Sequence, residues 1–203
     1  MKSTWMVAAV VAAGSVATMS VNAEECRPGV RMLTVYAVND GGAVSKGVLS
    51  RARNTATRLL AGAGVTVEWV DGERPNDPER SFCGERLTVA FNAKAPERFQ
   101  GQAMAYANVS AGSGTAIHMF MNRIANFEDR SHMPEFLGGL LAHEIAHMLQ
   151  GVARHSSAGV MKAPWTGRDL ESLVSGRLPF APEDVKLIQA RFGDRMLVAA
   201  NTH

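Results

Sequence analysis

One stretch constrains this chain more than any other: His143-Glu144-Ile145-Ala146-His147, preceded by the apolar run Phe136-Leu137-Gly138-Gly139-Leu140-Leu141-Ala142. The run reads as a buried helix. Residues four apart on a helix stand roughly 40° apart around its axis, one turn up. Both imidazoles therefore project from one face and can grip one metal ion. Glu144 stands beside that ion rather than on it. A lone carboxylate in an apolar helix is costly to bury unless something pairs with it, and a metal with its water supplies the partner. Zinc suits the arrangement, because three protein ligands leave a fourth position for water. The ion lowers the pKa of that water towards about 7, and a nearby carboxylate can take its proton. The rival reading is two partly exposed helix histidines with a surface glutamate; the apolar context argues against it.

Such a site needs a third protein ligand. His155 lies eight residues beyond His147, just after Gly151, which can turn the chain back. Glu171, 24 residues beyond His147, is the alternative, since one class of zinc enzyme takes a glutamate from a later helix. The sequence after His155, with Gly159-Val160-Met161, favours the histidine. A methionine alone says little, because buried methionine is ordinarily core packing.

The rest of the chain alternates between strand and helix signals. Met32 to Val38 reads as a buried strand. Ser45 can cap a helix running to about Ala61, with an apolar stripe of Val48, Leu49, Ala52, Ala56, Leu59 and Leu60. Arg51, Arg53 and Arg58 on that helix read as solvated. Val65 to Val70 is a second strand, parallel to the first across a β-α-β unit. Leu87–Phe91, Ala103–Val109 and Ala116–Met121 are the third, fourth and fifth. His118 in the last of these reads as a packed or hydrogen-bonded histidine. Pro134 fits the start of the metal-bearing helix, where its missing N–H costs nothing, and Gly151 ends it. A final helix, capped near Ala181 to Asp184, runs through Val185, Leu187, Ile188 and Phe192. The glycine-rich turn Ala111 to Gly114 lacks the lysine of a phosphate loop, which argues against nucleotide binding.

Residues 1–23 read as a secretory signal peptide: Lys2 supplies the charge, Trp5 to Met19 the apolar stretch, and Val21-Asn22-Ala23 the cleavage pattern. The expectation is a single catalytic domain over 24–203, secreted or periplasmic, without stable membrane association after cleavage. Its 20 basic and 19 acidic residues are scattered, so nothing argues for nucleic acid. An exported chain with two cysteines, Cys26 and Cys83, is expected to form a disulfide. A blocking Cys26–zinc bond is the less favoured reading, since Cys83 would be left odd.

His143, Glu144, His147, His155 and Gly159-Val160-Met161 together resemble the metzincin metalloproteases, whose long motif is H-E-x-x-H-x-x-G-x-x-H followed by a methionine turn. Gln150 and Ala153 stand where the family has its glycine and third histidine, so the connection to His155 is longer by two residues. The resemblance implies an α+β fold of zincin type: a twisted five-stranded mixed sheet on two main helices, with a small C-terminal helical part. It implies one catalytic Zn2+ on His143, His147 and His155, with Met161 beneath it. It implies peptide-bond hydrolysis with Glu144 as general base, on a peptide or protein bound along an antiparallel edge strand at Ala105, Tyr106 and Ala107. Tyr106 and Arg154 are candidates for a second oxyanion contact; a core tyrosine and a surface arginine are their ordinary readings. Two other functions share these residues: a zinc-stabilised secreted binding protein without hydrolysis, and an amidase acting on cell-wall peptides. Oligomeric state is left open.

Overall fold

A computed structural model of the protein describes residues 30–75, 84–97, 99, 101, 103–109, 116–127 and 129–200. The first strand, β1 (Met32–Val38), is buried on both faces from Leu33 to Ala37, as its unbroken apolar and β-branched run requires. Helix α1 (Lys46–Gly62) follows, and Ser45 caps it by accepting from the Val48 backbone N–H at 3.4 Å. Strand β2 (Thr66–Asp71) returns parallel to β1, with Trp69 beside Val35. Strand β3 (Glu85–Asn92) lies parallel on the other side of β1, with Leu87 beside Val35. The outermost pair is β4 (Ala105–Ala107) and β5 (Ala116–Phe120); β5 runs parallel to β3, and β4 antiparallel to β5. The order is β2-β1-β3-β5-β4, so the architecture is α+β around a five-stranded mixed sheet. The described helices after the sheet are α2 (Met121–Ile124), α3 (Met133–Gln150), α4 (Gly167–Val174) and α5 (Pro182–Ala200).

Side chains two apart on a strand share a face. Leu33, Val35 and Ala37, then Leu87, Val89 and Phe91, then Ile117 and Met119 line one face of the sheet and enter a single core cluster. α1 contributes Leu49, Ala52, Ala56, Leu59 and Leu60 to it, and α3 contributes Leu137, Leu141 and Ile145. Val160, Met161, Leu173, Phe180, Ile188 and Phe192 close the same cluster from the C-terminal part. Helix α3 is thus covered on several sides, which accounts for its nearly uniform apolarity.

Two adjacent glycines make that packing possible. A Cβ on Gly138 would lie 2.6 Å from the carbonyl oxygen of Ala52 and 2.6 Å from the Cβ of Thr55, both on α1. A Cβ on Gly139 would lie 2.7 Å from Leu173 in α4 and 2.9 Å from Trp165. The pair brings α3 close to a neighbour on each side.

Several expectations need correction. The fourth strand spans only Ala105–Ala107, not 103–109. Arg53 is not a solvated side chain: it pairs with Asp71 at 2.5 Å, and its guanidinium lies 5.5 Å from the Trp69 ring centre. Thr55 joins the buried stripe of α1, while Leu187 is 37% exposed and leaves that of α5. Helix α4 was not expected. Its start was readable as Thr166-x-x-Asp169, a capping box in which each residue accepts from the other's backbone N–H. Residues 1–23, read as a leader, and the Cys26–Cys83 pair lie outside the described residues. No helix among the described residues is long and apolar enough to cross a membrane.

Candidate metal centre

On α3, Leu137, Leu141 and Ile145 point at the core. His143 and His147 fall roughly 200° and 240° from Leu141 around the axis, so they face the C-terminal part of the chain. Both are 7% exposed. Gly151 ends the helix in the left-handed conformation, φ 68°, donating to the carbonyl of His147 at 3.0 Å. The chain then doubles back through exposed Val152 and Ala153 and delivers His155 to the helix pair. The ring centres of His143 and His147 lie 5.2 and 5.1 Å from that of His155. One ligand nitrogen from each of the three histidines lies within 4.8 Å of the others. The longer connection therefore still closes the triangle. Glu171 lies elsewhere: with Phe127, Phe136, Leu170 and Val174 it lines a cavity of about 330 Å³.

The hydrogen bonds fix which nitrogens are free. His143 Nδ1 lies 2.8 Å from the carbonyl oxygen of Val160, and His147 Nδ1 3.2 Å from that of Val152. A carbonyl only accepts, so each Nδ1 carries its proton and donates. Each neutral ring then presents a bare lone pair at Nε2, and the two Nε2 atoms face each other at 3.1 Å. Two lone pairs at that distance repel unless a cation lies between them. A shared proton is disfavoured, because burial pushes the pKa of His143 down to about 4 and lowers that of His147. Neutral imidazoles with Nδ1 committed to carbonyls are the form that binds a transition metal. The donor set therefore fits a metal ion, and three nitrogens with one open position fit zinc.

Glu144 sits one residue along, half-buried, and burial raises its carboxyl to about 7. That value suits a group that must both take and return a proton near neutral pH.

The turn after His155 is closed on itself and docked. Ser156 N–H donates to the Met161 carbonyl at 3.0 Å, and Ser156 bridges Lys162. Gly159, φ 76°, holds the bend; a Cβ there would lie 2.4 Å from the carbonyl oxygen of Pro179. Met161 is fully buried in the core cluster, directly after the carbonyl that orients His143. Trp165 donates to that same carbonyl at 3.3 Å and packs perpendicular to the His143 ring, with centres 6.1 Å apart.

Other singled-out residues fall differently. β4 is the outer strand of the sheet, as the edge reading of Ala105 to Ala107 requires. Tyr106 pairs with His118, so its side chain stands on the sheet face opposite Ile117 and Met119, away from α3. Its ring lies 4.9 Å from Phe99 and it is 42% exposed, so it is neither a core tyrosine nor an oxyanion contact. His118 Nδ1 donates to Asn92 Oδ1 at 3.0 Å and its ring packs on Phe99, the ordinary reading of a strand histidine. Arg154 is bound to Asp184 at 2.6 Å rather than free at the surface. Asp184, which has no exposed surface, was missed altogether. Its only sequence signal was an acidic residue in the first turn of a helix, which ordinarily means a solvated cap. No model of a known protein family matches the chain, and no curated protein matches it.

Proposed function

We propose that the chain is a zinc-dependent peptidase of metzincin type, exported from the cell. The observation that carries this reading is the three-histidine triangle with its two opposed, unprotonated Nε2 atoms, with Glu144 next to His143 in sequence. A structural zinc site closes its fourth position with another side chain; among the described residues the cluster holds three histidines and no fourth ligand. Bound zinc supplies a Lewis acid for the scissile carbonyl and lowers the pKa of water.

The chain's own residues do the rest. His143, His147 and His155 hold the ion, the first two through rings oriented by Val160 and Val152. Glu144 takes the proton of the attacking water and returns it to the leaving amine. β4 is the outer strand of the sheet among the described residues, and an extended peptide adds along it as a further strand. Met161 takes the place of the methionine turn in this reading; it is buried in the core, next to the Val160 carbonyl that orients His143.

The test is cleavage of a diverse peptide library, including cell-wall peptides, by the zinc-loaded chain. Cleavage that stops on chelation and returns with zinc supports a hydrolase, and the cleaved class separates peptidase from amidase. Tight zinc binding without cleavage of any member would instead favour a zinc-stabilised binding protein.

A further inference from the structure

We infer that Asp184 is a positioning residue for the metal centre: its buried carboxylate holds the loop that carries His155 against the two helix histidines. The inference rests on the metal reading above. The Asp184 carboxylate accepts from Arg154 Nη2 at 2.6 Å, from Ser156 Oγ at 2.7 and 2.8 Å, and from Gln150 Nε2 at 3.3 Å. Arg154 and Ser156 flank His155 directly, so the loop is gripped on both sides of the ligand. Gln150 closes α3, so the same carboxylate also ties the loop to the helix that bears His143 and His147.

The need for such a tether is visible in the loop itself. Gly151, Val152 and Ala153 are exposed, as is His155, so packing does not hold this stretch. The far end of the turn is held from the same side, by Val160 N–H donating to Pro179 at 2.9 Å. The start of α5 and the residues before it thus clamp the turn at Ser156 and at Val160. A carboxylate without exposed surface persists only where charge and hydrogen bonds compensate it. Here Arg154 supplies the charge, and the N-terminal turn of α5 favours a negative group. The two helix ligands depend on these contacts less than His155 does: α3 fixes their backbone, and the loop and turn reach them only through the Val152 and Val160 carbonyls.

The test measures zinc and cobalt(II) affinity of the full chain as wild type, D184A, D184N and S156A, with metal-free melting recorded for each. D184A is expected to bind both ions about 10–100-fold more weakly, the usual loss for a partner behind a ligand. Its cobalt absorption should fall towards the weak bands of a site richer in water. S156A, which keeps the Arg154 pair, should lose less. In an H155A background, D184A should change affinity much less than in the wild-type background, because the ligand it chiefly positions is gone. The inference is overturned if folded D184A matches wild type in affinity and spectrum, or if it weakens binding equally with and without His155. Should D184A fail to fold, D184N and S156A decide by the same comparison. A wild type that binds neither ion removes the metal reading, and this inference with it.

Discussion

His143 donates from Nδ1 to the carbonyl of Val160 at 2.8 Å, across 17 residues of chain. The bond joins α3 to the turn that ends in Met161 and fixes the tautomer that leaves Nε2 free. The orientation of one ligand ring is therefore tied to the docking of that turn.

Ligands brought together only by folding make a bound ion a stabiliser of the native state alone. Free zinc at about 100 times its Kd should add about 2.7 kcal/mol, or roughly 5–10 °C in Tm for a chain of this size. Melting with zinc and with chelator measures it directly. Equal melting temperatures would mean that the three histidines take no ion.

The triangle brings His155, not Glu171, to the two helix histidines, and Glu171 lines a cavity of its own. His155→Ala should lose more affinity than the roughly 10–100-fold typical of an outer partner, while Glu171→Ala should retain zinc as wild type does. Zinc content after dialysis separates the two. The reverse pattern would move the third ligand to α4.

Glu144→Gln keeps the size of the side chain and removes the base. Zinc content should stay at the wild-type level while kcat/KM on a cleaved peptide falls by about 10²–10⁴-fold, the span of general acid–base contributions. Activity near wild type would leave proton transfer to another group.

The sequence shows the metal face because helical periodicity alone sets it: His143 and His147 share a face wherever α3 forms. It also shows the strand order of elements, since Met32–Val38 and Val65–Val70 flank an amphipathic helix. It does not show that Tyr106 faces away from α3, because that follows from the pairing of β4 with β5 rather than from local pattern. Nor does it show Asp184, whose partners lie 28 to 34 residues away. Such a contact exists only once α5 packs beside the end of α3. The identity of His155 as the close histidine lies between these cases. The glycine and the turn are local, but closure of the triangle is tertiary.

Burial acts on Glu144 and His143 with opposite sign in the metal-free protein. Glu144 is raised from 4.5 to about 7, so the native state holds its proton longer than the unfolded chain. Its contribution is present at low pH and is lost as pH rises through that window. His143 is lowered from 6.5 to about 4, so the unfolded chain takes its proton first, and stability is lost as pH falls through that window. The two slopes oppose where the windows overlap. Glu144→Gln removes the first and should leave stability rising with pH up to about 6.5. Relative to wild type, the variant should gain on the order of 3 kcal/mol between acid and mildly alkaline pH. Denaturant unfolding in chelator at several pH values measures the gap, and parallel curves for the two proteins would refute the raised carboxyl.

Gly138 and Gly139 set how closely α3 is packed, and alanine at each reads that closeness. Alanine in a helix interior gains about 1 kcal/mol over glycine, whereas overpacking costs about 1–3 kcal/mol. At Gly138 the added Cβ would meet the carbonyl of Ala52 at 2.6 Å, a backbone atom that cannot swing aside. At Gly139 it would meet the ends of the Leu173 and Trp165 side chains, which can yield. At Gly47 in α1 it would meet nothing within 4 Å. Stability should therefore rank Gly47→Ala at or above wild type, Gly139→Ala below it, and Gly138→Ala lowest. Because Trp165 also packs on His143, Gly139→Ala should weaken zinc binding where Gly47→Ala does not. Urea unfolding with a zinc titration gives both orders, and a Gly138→Ala variant more stable than wild type would mean that α1 and α3 are not in this contact.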